Sequence, residues 1–196
     1  MVAVSAPPSS PAQSTWPLPA QDVSIWCEIQ ALYAKGCIPT SRPPQLPDGE
    51  YMRPPDHPDE LRRRRALYRY GILKSTLPKD AFDHLTDLAH RLFNTSMCAV
   101  SLVDDTYQWF ASEVGLGCSS TTRDVSFCGH AILSKPTELE DVFVVLDATK
   151  DWRFMDNPLV TGTPHIRFYA GAKLVDPDSN LPLGNPPWHS HVHAFV

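Results

Sequence analysis

The chain has 196 residues, 42% hydrophobic and 20% charged, with a formal net charge of −5 at pH 7, which fits one domain with extensions. No apolar run reaches the roughly 20 residues that cross a bilayer, the opening MVAVSAPPSSPAQS lacks the basic and apolar regions of a secretory signal, and the acidic balance gives no reason to expect nucleic acid as a partner. The five cysteines, Cys27, Cys37, Cys98, Cys118 and Cys128, are odd in number, irregularly spaced and without a CxxC pair. That favours free thiols in a reducing, cytoplasmic compartment over a disulfide framework or a structural zinc site.

Twelve of the twenty prolines fall in residues 1–58, where fixed φ angles and missing donors interrupt any helix or ladder. Residues 1–20 and 37–58 therefore read as disordered or extended, around one short helix at 21–35 that carries Val23, Trp26, Ile29 and Tyr33 and ends at Gly36. A lead-in helix is expected within 59–78, with Leu61, Tyr68 and Ile72 on its apolar side. Its Arg62–Arg65 run reads as a solvated face, because flanking acids oppose a phosphate-binding or nuclear-import patch. From Lys79 to Asn94, Phe82, Leu85, Leu88, Ala89, Leu92 and Phe93 form a continuous helical stripe that must bury. Met97–Val103 and Tyr107–Val114, joined through Asp104-Asp105-Thr106, read as a β-hairpin. A helix over 126–133, a strand at 143–146, a capped short helix starting at Asp151 and a strand at 167–175 follow. This order predicts an α+β domain: an antiparallel sheet flanked by helices.

Four ordered blocks carry a resemblance. They are Ser101-Leu102-Val103-Asp104 with Gln108-Trp109-Phe110 and Gly115-Leu116-Gly117; Ser126-Phe127-Cys128-Gly129-His130-Ala131-Ile132-Leu133; Leu146-Asp147-Ala148 with Asp151-Trp152-Arg153-Phe154 and Asn157-Pro158-Leu159-Val160; and Ile166-Arg167-Phe168-Tyr169-Ala170-Gly171-Ala172. Together they resemble GAF domains, in the subgroup found in bacterial and fungal sensor proteins such as histidine kinases and cyclic-dinucleotide enzymes. The resemblance implies a GAF-like domain over 79–184 and a sensory or regulatory module in signal transduction, possessing no catalysis of its own. Its expected partners are an unnamed small molecule and either a second copy or a signalling effector protein. Members continue with a further strand that lies centrally against the first. Here Leu183-Gly184 is followed by Asn185-Pro186-Pro187, and two adjacent prolines remove two ladder donors. The expectation is a fold lacking its C-terminal central strand, with 185–196 an atypical tail that marks an altered gene end.

Cys128 falls in a first helical turn, where a thiol can be activated, and His130 is a conceivable base. Positions i and i+2 on a helix diverge, however, so a buried thiol and a histidine bonded to a neighbouring segment is the simpler reading. Some GAF domains attach a bilin through a Cys followed at once by His; Gly129 intervenes here, so no covalent bilin is expected and the cofactor is unknown. The resemblance implies a pocket over the sheet, with Phe127, Cys128, His130, Asp147, Trp152, Phe154, Arg167 and Tyr169 as candidate lining. Arg167 and Tyr169 alternate on one expected strand, and an Arg beside an aromatic suits an anionic or planar ligand. Arg153 is expected to pair with Asp147 or Asp156, and Trp109 to pack on the sheet. His189, His191 and His193 would share one face of an extended segment, a weak metal candidate. Two alternatives remain open: a GAF-type reductase of free methionine sulfoxide using Cys118 and Cys128, and a ligand-free interaction scaffold whose proline-rich arm docks in aromatic grooves.

Overall fold

The computed structural model describes residues 28, 31, 41–43, 48–71, 82–133, 142–185 and 194–195, with 185, 194 and 195 described for their backbone only. The helix expected at 21–35, all but two of its residues, and the three tail histidines lie outside them. Four α-helices are described: α1 Glu60–Arg69, α2 Asp83–Phe93, α3 Phe127–Ala131 and α4 Pro158–Thr161. The strands are β1 Cys98–Val103, β2 Tyr107–Val114, β3 Ser120–Thr122, β4 Val142–Val145, β5 Tyr169–Ala172, β6 Leu174–Val175, β7 Pro182–Asn185 and β8 Ala194–Phe195. A five-stranded sheet runs β3-β2-β1-β7-β6 and a three-stranded one β4-β5-β8; every pairing is antiparallel. The architecture is α+β, as the element order requires. No described helix is long and apolar enough to cross a membrane.

The hairpin forms where the alternating strand formers and the Asp-Asp turn place it. Asp104 closes the turn by accepting from the Thr106 and Tyr107 amides and from Trp109 Nε1 at 2.7 Å. A bulge at Val100/Ser101 shifts the register. The strand expected over 167–175 is split at Lys173: β5 pairs with β4 and β8, whereas β6 pairs with β7. The central strand expected to be missing is present in short form. β7 lies between β1 and β6, pairing Gly184 with Leu102 and Asn185 with Ser101. Pro182 opens it, a position that needs no interior ladder donor, and it stops one residue before Pro186. Gly184 is demanded by this close approach, since a Cβ there would sit 2.2 Å from Ser101 O. The tail contributes β8, which pairs with Tyr169 and Ala170 of β5.

The main core gathers Met97, Ala99, Val103, Phe127, Ile132, Phe143, Val145, Phe154, Val160, Ile166 and Tyr169. A smaller cluster joins Ala66 and Leu67 of α1 to Leu102 and Leu183.

Helix α1 therefore buries a different side from the one its apolar residues advertise. Leu61 is 70% exposed and Tyr68 46%, while Arg63 is 0% exposed beside Ala66 and Leu67. Arg63 can be buried because its guanidinium is satisfied: Nη1 donates to Val103 O at 2.7 Å, and Nε and Nη2 grip the Glu60 carboxylate at 2.7 and 2.6 Å. Glu60 also accepts from Arg123 at 2.7 Å. The arginine run is thus divided, with one member tying α1 to the end of β1.

The α2 stripe is corrected in the same way. The helix packs on β1 and β2 through Thr86 and Ala89, with Thr86 Oγ1 donating to Ser112 Oγ at 2.8 Å. Leu88, Leu92 and Phe93 are 61%, 67% and 49% exposed. The proline-rich arm is also ordered where it meets the domain: Met52, Pro54 and Pro55 are buried.

Candidate functional site

Strand alternation puts Gln108 and Phe110 of β2 on one face. The bend after β2 adds Leu116 and Cys118, and β3 adds Thr121. Opposite them stand Phe127 of α3, Leu159 of α4, and Thr163, Pro164 and Ile166 of the segment leading to β5. Together these residues enclose a cleft of about 250 Å³.

Local chemistry fixes each wall. Ser126 N-caps α3, its Oγ accepting from Gly129 N at 2.9 Å and donating to Gln108 Oε1. Asn157 caps α4, accepting from Leu159 N at 2.9 Å, and its Nδ2 reaches back to Val125 O at 3.1 Å. Ile166 N donates to Leu159 O at 2.8 Å, and Thr163–Pro164 is cis. Phe127 stacks on Phe154 with centroids 4.1 Å apart.

The walls are mostly apolar, and among the described residues no Lys, Arg, His, Asp or Glu lines the cleft. Two uncharged groups retain bonding capacity. Gln108 is buried and its Nε2 donates to Cys128 Sγ at 3.0 Å; sulfur is a weak acceptor, and the amide carries a second N–H. Thr121 Oγ1 is buried without a hydrogen-bond partner.

Of the residues nominated by sequence, Phe127 and Cys118 line this cleft. Cys128 lies behind it, taking bonds from Gln108 and from the Tyr169 hydroxyl at 3.3 Å. His130 is buried in the core, edge-on to Phe154, with Nε2 3.0 Å from Met52 O. Burial, and then Arg153, push its pKa down to about 3, so it is neutral at physiological pH. Trp152 and Phe154 are buried in the turn after Asp151. Arg153 pairs with Asp151, its Nε 2.8 Å from Oδ1, in place of the expected Asp147 or Asp156; the two-residue Asx geometry brings that carboxylate closest. Asp147 caps its own loop, accepting from Thr149 N at 3.0 Å and pairing with Lys150 at 2.9 Å.

Arg167 and Tyr169 part company. Tyr169 opens β5 facing inwards, whereas Arg167 precedes the strand, is exposed, and donates to Val160 O at 3.0 Å. Alternation cannot hold where no strand has begun. Burial pushes the Cys98 thiol up to about 11 and that of Cys118 upwards too, the latter with help from Glu113. Thr121, Leu159, Thr163, Pro164 and Ile166 escaped the sequence reading of a pocket. They meet only because the 157–166 segment folds back over the sheet, and a buried Gln within a strand was the one local sign.

A curated protein of Pseudomonas aeruginosa, the cyclic di-GMP phosphodiesterase PA2567, is 40% identical to this chain over 132 residues. No family model matches. The similarity covers 67% of this chain but 21% of the relative, so the chain spans about a fifth of the protein it matches.

Proposed function

We propose that the chain is a GAF-type sensory module in signal transduction, which binds a small uncharged ligand in the cleft and passes its occupancy to an effector. The observation that carries this reading is the cleft itself: apolar walls with a few convergent neutral polar groups are the usual make-up of a small-molecule site. Similarity to a portion of a cyclic di-GMP phosphodiesterase supports a place in signalling. The described lining favours binding, because its polar groups, the Gln108 amide and the Thr121 and Thr163 hydroxyls, are neutral hydrogen-bonding groups. It also turns the ligand class away from anions, since Arg167 stands elsewhere.

The reductase reading keeps one supporting feature, Cys118 on the cleft wall. Against it, Cys128 is buried behind Gln108 and Tyr169, and the Cys118 thiol is raised rather than activated.

The test is a thermal-shift panel of uncharged heterocycles, cyclic nucleotides and tetrapyrrole acids. An uncharged heterocycle is expected to raise Tm with increasing dose, and Leu159→Trp, which fills the cleft, to abolish the rise. A rise produced by anions alone would overturn the assignment.

A further inference from the structure

The segment Tyr51–Asp56 lies against α3, in neither helix nor strand, and is held as a docked peptide would be. Met52 is 0% exposed. Its N–H donates to Arg153 O at 2.9 Å and its carbonyl meets His130 Nε2 at 3.0 Å. Pro54 lies on Gly129, where an added Cβ would be 2.6 Å from the proline Cγ. That glycine sits inside a helix with no positive φ, where Gly costs about 1 kcal/mol relative to Ala; its visible use is to seat the proline. Arg123 then reaches Pro55 O at 3.4 Å and pairs with Asp56 at 3.3 Å, while Arg53 pairs with Asp124 at 3.2 Å.

We infer that this groove, formed by Gly129, His130, the Arg153 carbonyl and Arg123, is a recognition site for an extended peptide of the pattern apolar-x-Pro-Pro-acid, filled here by the chain's own Tyr51–Asp56. Three physical features favour exchange over permanent incorporation. Pro54 and Pro55 bring no N–H groups, so departure of the segment unpairs no ladder. Its ion pairs have exposed acidic members: the Asp56 side chain is 80% exposed, and the Arg53–Asp124 pair is exposed on both sides. Extended proline segments pre-pay much of their ordering entropy, which is why grooves select them. The groove still favours an occupant, because Met52 bonds both the Arg153 carbonyl and the buried His130 ring, and departure removes both bonds. A tethered occupant acts at a local concentration of about millimolar, so a free peptide competes only when the tethered copy is weakened.

The experiment uses the full chain with Met52→Ala and Pro54→Ala combined, titrated with a fluorescent peptide of sequence Asp48–His57 and read by anisotropy. Saturable binding at least tenfold tighter than to the wild-type chain, lost on adding Gly129→Val, is the expected result. A double variant that melts cooperatively yet binds no peptide, or binds it no better than wild type, overturns the proposal. Hydrogen exchange on the wild-type chain gives an answer that does not depend on the variants folding. The Met52 amide is expected to exchange at least tenfold faster than the β1 amides, and equal rates would make the segment an integral part of the fold.

Discussion

Replacing Glu60 by Ala is expected to lower stability by about 3 kcal/mol in urea unfolding at pH 7, the lower end of the cost of leaving buried charges unpaired. The carboxylate is the shared acceptor for Arg63, which is fully buried, and Arg123, which is nearly so. Its loss leaves Arg63 in the interior with carbonyl partners but without that counter-charge, and leaves Arg123 with the exposed Asp56 at 3.3 Å. Glu60→Gln keeps acceptor geometry and should cost less. Because α1 is held to β1 and β7 through Arg63, the loss should also loosen α1 before the sheet.

The same carboxylate sets an acid dependence. Burial alone would raise the Glu60 pKa, but hydrogen bonds and charge from Arg63 and Arg123 outweigh it and hold the group at about 2 against an ordinary 4.5. A carboxyl depressed in the folded state contributes fully above its unfolded value and loses that contribution as pH falls through the folded one. The wild-type chain should therefore lose stability between about pH 4.5 and 2 by more than Glu60→Ala does. Asp147 and Asp176 are also held at about 2 and add to the acid loss; Asp176 bonds Arg69 and Tyr70 at the end of α1, so the difference between the curves reads Glu60 together with the α1 contacts it supports.

Phe154→Ala is expected to cost about 3–5 kcal/mol, the range for removing a large buried aromatic. Phe154 is wholly buried between Phe127, the His130 edge and Phe143. The Arg153 guanidinium lies 5.1 Å from its ring centroid. Its loss opens a void behind Phe127, a wall of the cleft, so ligand affinity should fall together with stability. Phe154→Leu preserves most of the volume and should recover over half of the loss. Urea unfolding at pH 7 measures both.

Much of the frame was legible because it follows from local rules. The β1–β2 hairpin follows from alternating strand formers around Asp104-Asp105, and α3 from Ser126 ahead of a short helical run. Orientation was less legible. Helix α1 turns Leu61 outwards and Arg63 inwards, since a guanidinium with a carboxylate at i−3 and carbonyls at a strand end is satisfied away from water, and hydropathy alone cannot foresee those partners. The stripe on α2 misled for a related reason: Thr86 earns its buried place by bonding Ser112, while Leu88 and Leu92 remain outside. The central strand was judged from the prolines after it, yet four residues suffice to pair with both β1 and β6. The cleft was least legible. Its walls come from β2, β3, α3, α4 and an irregular segment, so Gln108 and Ile166 become neighbours only in the fold.

The central claim is that this cleft accepts a small uncharged ligand, and the most direct measurement is a titration with benzimidazole at pH 8 followed by two-dimensional NMR. Saturable shifts confined to the Gln108 side-chain amide, Thr121 and the Leu159 and Ile166 methyl groups are predicted. No saturation below about 10 mM, or shifts centred on residues outside the cleft, would contradict it.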